Sequence, residues 1–285
     1  DLDDTGNIDL TNLTTLDFVG TVSVLDSDAA GNGSNAGQIL LPTTNISEPD
    51  LDLTIDARAD AGGASQNVSL GTITLDSLNV GAATATFNNT VVLDGVDTAG
   101  SLDTTADDAL AVTAASIVFA DVASVTVLPG GGNVDLRGDG TGTVTVGTGG
   151  FNLTAQTGST FDIDNQFSNV ALSSGVSTDQ GTIGIASAVT LIVNMSLDTE
   201  TAAGGGAAIN LAAVTAENGT SAETLTLDAG TGGNVTVTGA VGTNPLGLIT
   251  LTNANDVDFQ STIASAGITT TNAVDSFRAG GAVTT

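Results

Sequence analysis

The sequence predicts an all-β protein built as a single elongated parallel β-solenoid, wound right-handed, with short strands and turns of Gly, Asn and Asp. Three observations predict it. The chain repeats itself over a long period, since LTIDA at residues 53–57 returns as LTLDA at residues 225–229, 172 positions later. Apolar residues alternate with polar ones in very short segments, the period of a half-buried strand, and turn residues separate the segments. The chain is 40% hydrophobic but only 3% aromatic, so its core is made of small aliphatic side chains.

The elements follow in chain order. Ile8 with Leu10, then Phe18, Val22 and Val24, open the alternation, and the polar, glycine-rich run at residues 26–37 reads as a loop. Ile39 with Leu41, Leu51 with Leu53 and Ile55, Val68 with Leu70, and Ile73 with Leu75 continue it. Phe87, Val91 and Leu93 come next, followed by Ile117 with Phe119, Val125 with Val127, Val134 with Leu136, Val144 with Val146, Phe151 with Leu153, and Phe161 with Ile163. The spacing leaves no room for crossover helices. The Ala-rich stretch at residues 109–115 carries β-branched residues, and the one at 199–208 carries three glycines, so neither is expected to be a helix. Pro42, Pro49, Pro129 and Pro245 all lie at segment edges.

A second passage begins near Gly181. There GTIGI answers GNIDL at residues 6–10, and SLDTETAAGGG at 196–206 answers VLDSDAAGNG at 24–33. Residues 1–172 are therefore expected to form one super-repeat and residues 173–285 part of a second. A string of antiparallel sandwiches is the competing architecture, but sandwiches use longer strands and a bulkier aromatic core. Segments with two inward residues suit a coil of about 22 residues, each rung stacking about 4.8 Å above the last.

Composition narrows function. With 32 acidic residues, three arginines, and no Lys or His, the net charge is −29. That charge disfavours nucleic acid and anionic lipid, which are held by Lys and Arg, and favours cations. No stretch of about 18 apolar residues offers a spanning helix, so no membrane insertion is expected. Cysteine is absent, which removes disulfides and thiolate metal sites. The chain begins without Met and in the middle of the repeat pattern, so a longer, processed parent protein is expected.

Residues 225–259, LTLDAGTGGNVTVTGAVGTNPLGLITLTNANDVDF, resemble the β-strand repeats of large bacterial surface and secreted proteins of the filamentous-haemagglutinin and autotransporter-passenger type. The resemblance implies a β-helical adhesin or fibre, extracellular or on the bacterial cell surface. The leading expectation is thus a structural segment of such a fibre or large adhesin, a stiff rod that continues or polymerises. Its expected partners are copies of itself, end to end or laterally.

The alternative is a Ca²⁺-dependent adhesive module that takes host or cell-surface glycans. No cofactor is required for the structural reading, and Ca²⁺ is the candidate ion for the adhesive one. Two acidic turns supply oxygen ligands of the kind Ca²⁺ takes: Asp26, Asp28 and Asn32, and Asp162, Asp164 and Asn165. Neither matches an EF-hand loop or the nonapeptide Ca²⁺ repeat, and solvated turn acids are the competing reading of both. Paired carboxylates also serve polysaccharide cleavage. Sugar sites of that kind need aromatic or basic groups, and the chain has no Trp, Tyr, Lys or His, so no enzyme is expected. Arg137, Gly138 and Asp139 spell an integrin-type tripeptide, which reads better as local neutralisation of Asp135 and Asp139.

Overall fold

The computed structural model describes residues 2–3, 6–18, 20, 22–27, 35–59, 64–93, 108–128, 132–138, 141–200, 205–220, 222–272 and 274–285. Among them lie 26 strands and no helix, and hence no helix long and apolar enough to cross a membrane. The fold is a parallel β-solenoid. Its strands group into two compact units, Asp1–Gly142 with Gly147–Gly149, and Thr143–Val146 with Gly150–Thr285. The super-repeat boundary expected near residue 172 falls inside the second unit.

In the second unit each coil contributes three strands up to Val235–Val237, after which the first two faces merge in Val241–Leu251 and Ile263–Thr270, and successive coils pair in parallel with their equivalents. Val144, Val170, Val189, Val214, Val241 and Ile263 form one inward column. On the second face Met195, Leu225 and Ile249 are stacked in register. On the third, Phe161, Ile183, Ile209, Val235 and Val257 follow one another. All of these side chains are buried. Like stacks on like because the inward position recurs at the same point of every rung, and an aliphatic side chain fills the space left by its neighbour.

Coil length varies around this constant core. Val170 and Val189 are 19 residues apart, whereas Leu197 and Leu227 are 30 apart. The inward columns are not displaced, because Met195, Ser196, Leu197 and Asp198 still pair in register with Leu225, Thr226, Leu227 and Asp228.

The first unit follows the same rule, with Leu25, Ile55, Val80, Val112 and Leu136 in one column. Phe87 stacks on Phe119 with ring centroids 4.7 Å apart and planes 9° from parallel. Here the expected short segments merge, and Ile39–Asp56 and Val68–Phe87 run for 18 and 20 residues. They turn corners by shifting register, between Leu41 and Asn45 and again between Glu48 and Asp52. Pro42 and Pro49 occupy those shifts, and Pro245 occupies the shift between Val241 and Leu246, where no ladder hydrogen bond is needed from a proline nitrogen. The stretch at residues 109–115 is strand, within Asp108–Phe119.

The repeated pentads make the same corner. Leu53, Ile55 and Ala57 are buried in one copy, and Leu225, Leu227 and Ala229 in the other. Each strand ends on an aspartate whose Oδ1 accepts a main-chain N–H two residues on, from Arg58 to Asp56 at 2.8 Å and from Gly230 to Asp228 at 3.1 Å. The rung before each pentad repeats as well. Ser27 Oγ donates to Gly37 O at 2.7 Å and Asp56 O at 3.4 Å, while Thr199 Oγ1 donates to Ala207 O at 2.9 Å and Asp228 O at 3.3 Å. The duplication thus extends to a buried hydroxyl that ties a loop carbonyl to the next rung.

Candidate functional site

On the third face of the second unit, the outward positions of successive rungs are Asp162, Gly184, Asn210 and Thr236. Alternation along the strands Phe161–Ile163, Ile183–Ile185 and Ile209–Leu211 turns the flanking aliphatics inward and leaves the middle residue facing out. Gly184 contributes no side chain, and a groove of about 320 Å³ opens there. Asp162, Asn165, Thr182, Asn210 and Thr238 give it a carboxylate, two carboxamides and two hydroxyls. The Asp162 carboxylate reaches over the gap, because a Cβ on Gly184 would lie 2.4 Å from Asp162 Oδ1. Such walls both donate and accept hydrogen bonds, which suits a neutral polar ligand. A glycosidase needs two carboxyl groups across its bond, and Asp162 is the carboxylate of this lining.

The DxDN string is therefore divided. Asp162 and Asn165 line the groove, whereas Asp164 closes a turn, its Oδ1 accepting Gln166 N–H at 3.0 Å and its carbonyl accepting Ser187 Oγ at 2.6 Å. Asn165 Oδ1 accepts from Gln166 Nε2 at 3.1 Å. In the other predicted set, Asp26 ends the strand Val22–Asp26 and pairs in register with Asp56. Asp28 and Asn32 lie outside the described residues. Among the described residues no three His, Cys, Asp or Glu side chains gather to hold a metal ion.

Sequence reasoning passed over a second acidic locus. Asp198 and Asp228 are in register one rung apart at the end of the second face, with Glu200 just beyond the corner. Burial raises the Asp198 pKa, and the nearby Asp228 charge adds to the rise, while the hydrogen bond from Glu200 N–H at 2.8 Å opposes it. Burial also raises that of Glu200, followed by the charges of Asp228 and Asp198. Asn253 relieves Asp228 from the next rung, its Nδ2 lying 3.2 Å and 3.3 Å from the two carboxylate oxygens. Asp198, Asp228 and Asn253 lie 30 and 25 positions apart along the chain, and only the rung register brings them together.

The arginines are engaged in ion pairs. Arg58 meets Asp56 at 2.7 Å, Arg278 meets Asp258 at 3.5 Å, and Arg137 pairs closely with Asp135. The neutralisation expected for Asp135 is present, and Asp139 lies outside the described residues. No family model, curated protein or solved structure matches this chain.

Proposed function

We propose that this chain is a structural β-solenoid segment of an extracellular bacterial surface fibre or large adhesin, of the filamentous-haemagglutinin or autotransporter-passenger kind. The observation that carries this reading is the parallel stacking of rungs on columns of like aliphatic side chains, which leaves apolar side chains of residues 274–285 able to take a further rung. Phe277 stands over Val257 in register and Val283 over Ile263, yet Phe277 and Val283 are 44% and 46% exposed while Val257 and Ile263 are each 1% exposed. Phe277 already leans on Phe259, with ring centroids 5.8 Å apart. A strand edge with apolar side chains above it favours the addition of a further rung. That rung comes from the same longer polypeptide or from another copy.

Sedimentation across a concentration series, combined with electron microscopy, tests this reading. Expected are end-to-end assemblies that Phe277→Asp with Val283→Asp abolishes. Blunt monomers at every concentration, for a chain with nothing beyond residue 285, would count against self-assembly.

A second reading, a glycan-binding adhesive module, is favoured by the groove at Gly184. It predicts retention on a glycan array that Gly184→Ala removes by pushing the Asp162 carboxylate aside. If Ca²⁺ assists, EDTA lowers both retention and melting temperature; the structural reading expects neither change.

A further inference from the structure

The loop between strands Val214–Ala216 and Leu225–Asp228 holds one of the two Asn-Gly pairs of the sequence, Asn218–Gly219; the other is Asn32–Gly33. In such a pair the glycine nitrogen can attack the Asn side-chain carbonyl carbon, because no Cβ obstructs it. Here neighbouring groups engage both reacting atoms of the Asn218 carboxamide, its oxygen and its nitrogen. Asn218 Oδ1, where negative charge would collect, accepts the Thr220 main-chain N–H at 3.1 Å and also the Thr220 hydroxyl. Two donors aimed at a developing oxyanion are the usual device for stabilising acyl transfer. Asn218 Nδ2, the leaving group, donates to Glu223 Oε1 at 3.4 Å. Glu223 is only 6% exposed, and its Oε2 is buried with no hydrogen bond from a described residue. A buried carboxyl group held this way is costly. Gly219 is exposed, and a Cβ built on it meets nothing within 4 Å, so the space beside its Cα is open.

We propose that Asn218 is a self-modification site, where the Gly219 nitrogen displaces the Asn218 side-chain nitrogen with Glu223 as acid–base group and Thr220 as oxyanion donor. The Gly219 N to Asn218 Cγ bond forms as Glu223 takes the Gly219 amide proton. The Cγ–Nδ2 bond then breaks as Glu223 returns that proton to Nδ2, and ammonia leaves. Water opens the resulting succinimide to aspartate or isoaspartate, so the net change is addition of one water and loss of one ammonia. The product places a new carboxylate between Glu217 and Glu223, and Glu223 loses the Asn218 donor. In its isoaspartate form it also adds one methylene to the main chain of this turn. The loop is thereby altered while the rungs on either side stay in place.

Timed peptide mass mapping of position 218, in the folded chain and in the same chain unfolded in guanidinium, tests the proposal, with an added short Asn-Gly peptide as an internal clock. Relative to that clock, Asn218 is expected to convert about tenfold faster or more when folded, a modest share of what positioned acid–base groups supply. Glu223→Gln, of the same size, is expected to return the folded rate to the unfolded one, with the circular dichroism unchanged. Thr220→Val is expected to slow conversion severalfold and carries the test alone if Glu223→Gln does not fold. Conversion no faster in the folded chain than in guanidinium overturns the proposal. So does a folded Glu223→Gln chain that converts at the original rate, or, where that variant does not fold, a Thr220→Val chain that does so.

Discussion

Asp198 and Asp228 show how a rung register can set like charges together at a cost. Asp198 is partly buried, and its pKa is raised first by that burial and then by the Asp228 charge. A carboxyl whose folded pKa lies above its unfolded value binds its proton more tightly when folded. Its stabilising contribution is therefore full below the unfolded pKa, near 3.9, and is lost as pH rises through the folded value. At neutral pH the ionised pair opposes folding, and Asp198→Asn removes the penalty while its carbonyl still accepts the Glu200 N–H. Thermal melting is expected to show Asp198→Asn more stable at neutral pH by on the order of half a kcal/mol after solvent screening, about 1–2 °C. The gain should shrink as pH falls through the folded pKa and vanish only well below the unfolded value, by about pH 3. Asp9 behaves oppositely. The Thr11 main-chain N–H at 3.0 Å, with the Thr11 hydroxyl second, lowers its pKa, so its contribution is present above the unfolded value and is lost as pH falls through the folded one. An NMR titration of Thr11→Val should show the Asp9 carboxyl moving back up.

At the scale of elements, the buried corner hydroxyls join one coil to the next. Thr199 is fully buried, and its hydroxyl bonds both the N–H and the carbonyl of Ala207 as well as Asp228 O, so Thr199→Val keeps the volume and leaves both Ala207 groups short, while Asp228 O retains the Thr199 N–H. A loss of about 1–3 kcal/mol is expected in denaturant unfolding, and Thr199→Ser, which keeps the hydroxyl as Ser27 does in the first copy, should lose less. Gly242 gives a second check. Its φ is 77°, and a Cβ there would stand 2.0 Å from Ala264 O, so Gly242→Ala should destabilise by at least about 2 kcal/mol. Much of this level was legible beforehand. The alternation of Leu225, Thr226 and Leu227 announced which side chains face in, and the Asp228 that follows announced the corner. The merging of Ile39–Asp56 into one strand was not legible, because alternation breaks at Pro42 and Pro49 while main-chain pairing to the next rung persists through the shifts. Nor was the groove, since Asp162 and Asn210 become its walls only when Gly184 is known to lie between them in the column.

At the scale of the whole chain, a net charge of −29 acts on every rung, with just three arginines to offset 32 acids. Each arginine is already in an ion pair with an aspartate, so added cations are the remaining counterweight. Mutual repulsion of exposed carboxylates reaches about 10 Å at 0.1 M salt and about 3 Å at 1 M. The melting temperature is therefore expected to climb steadily between those salt concentrations. Because no group of three acidic side chains among the described residues is placed to hold a metal ion, the benefit arising at those residues should depend on ionic strength and not on the identity of the cation. CaCl₂ and MgCl₂ matched for ionic strength are expected to give superimposable melting curves. A Ca²⁺ effect that saturates at micromolar concentration would instead reveal a bound ion, with Asp26, Asp28 and Asn32, and Asp162, Asp164 and Asn165, as its first candidates.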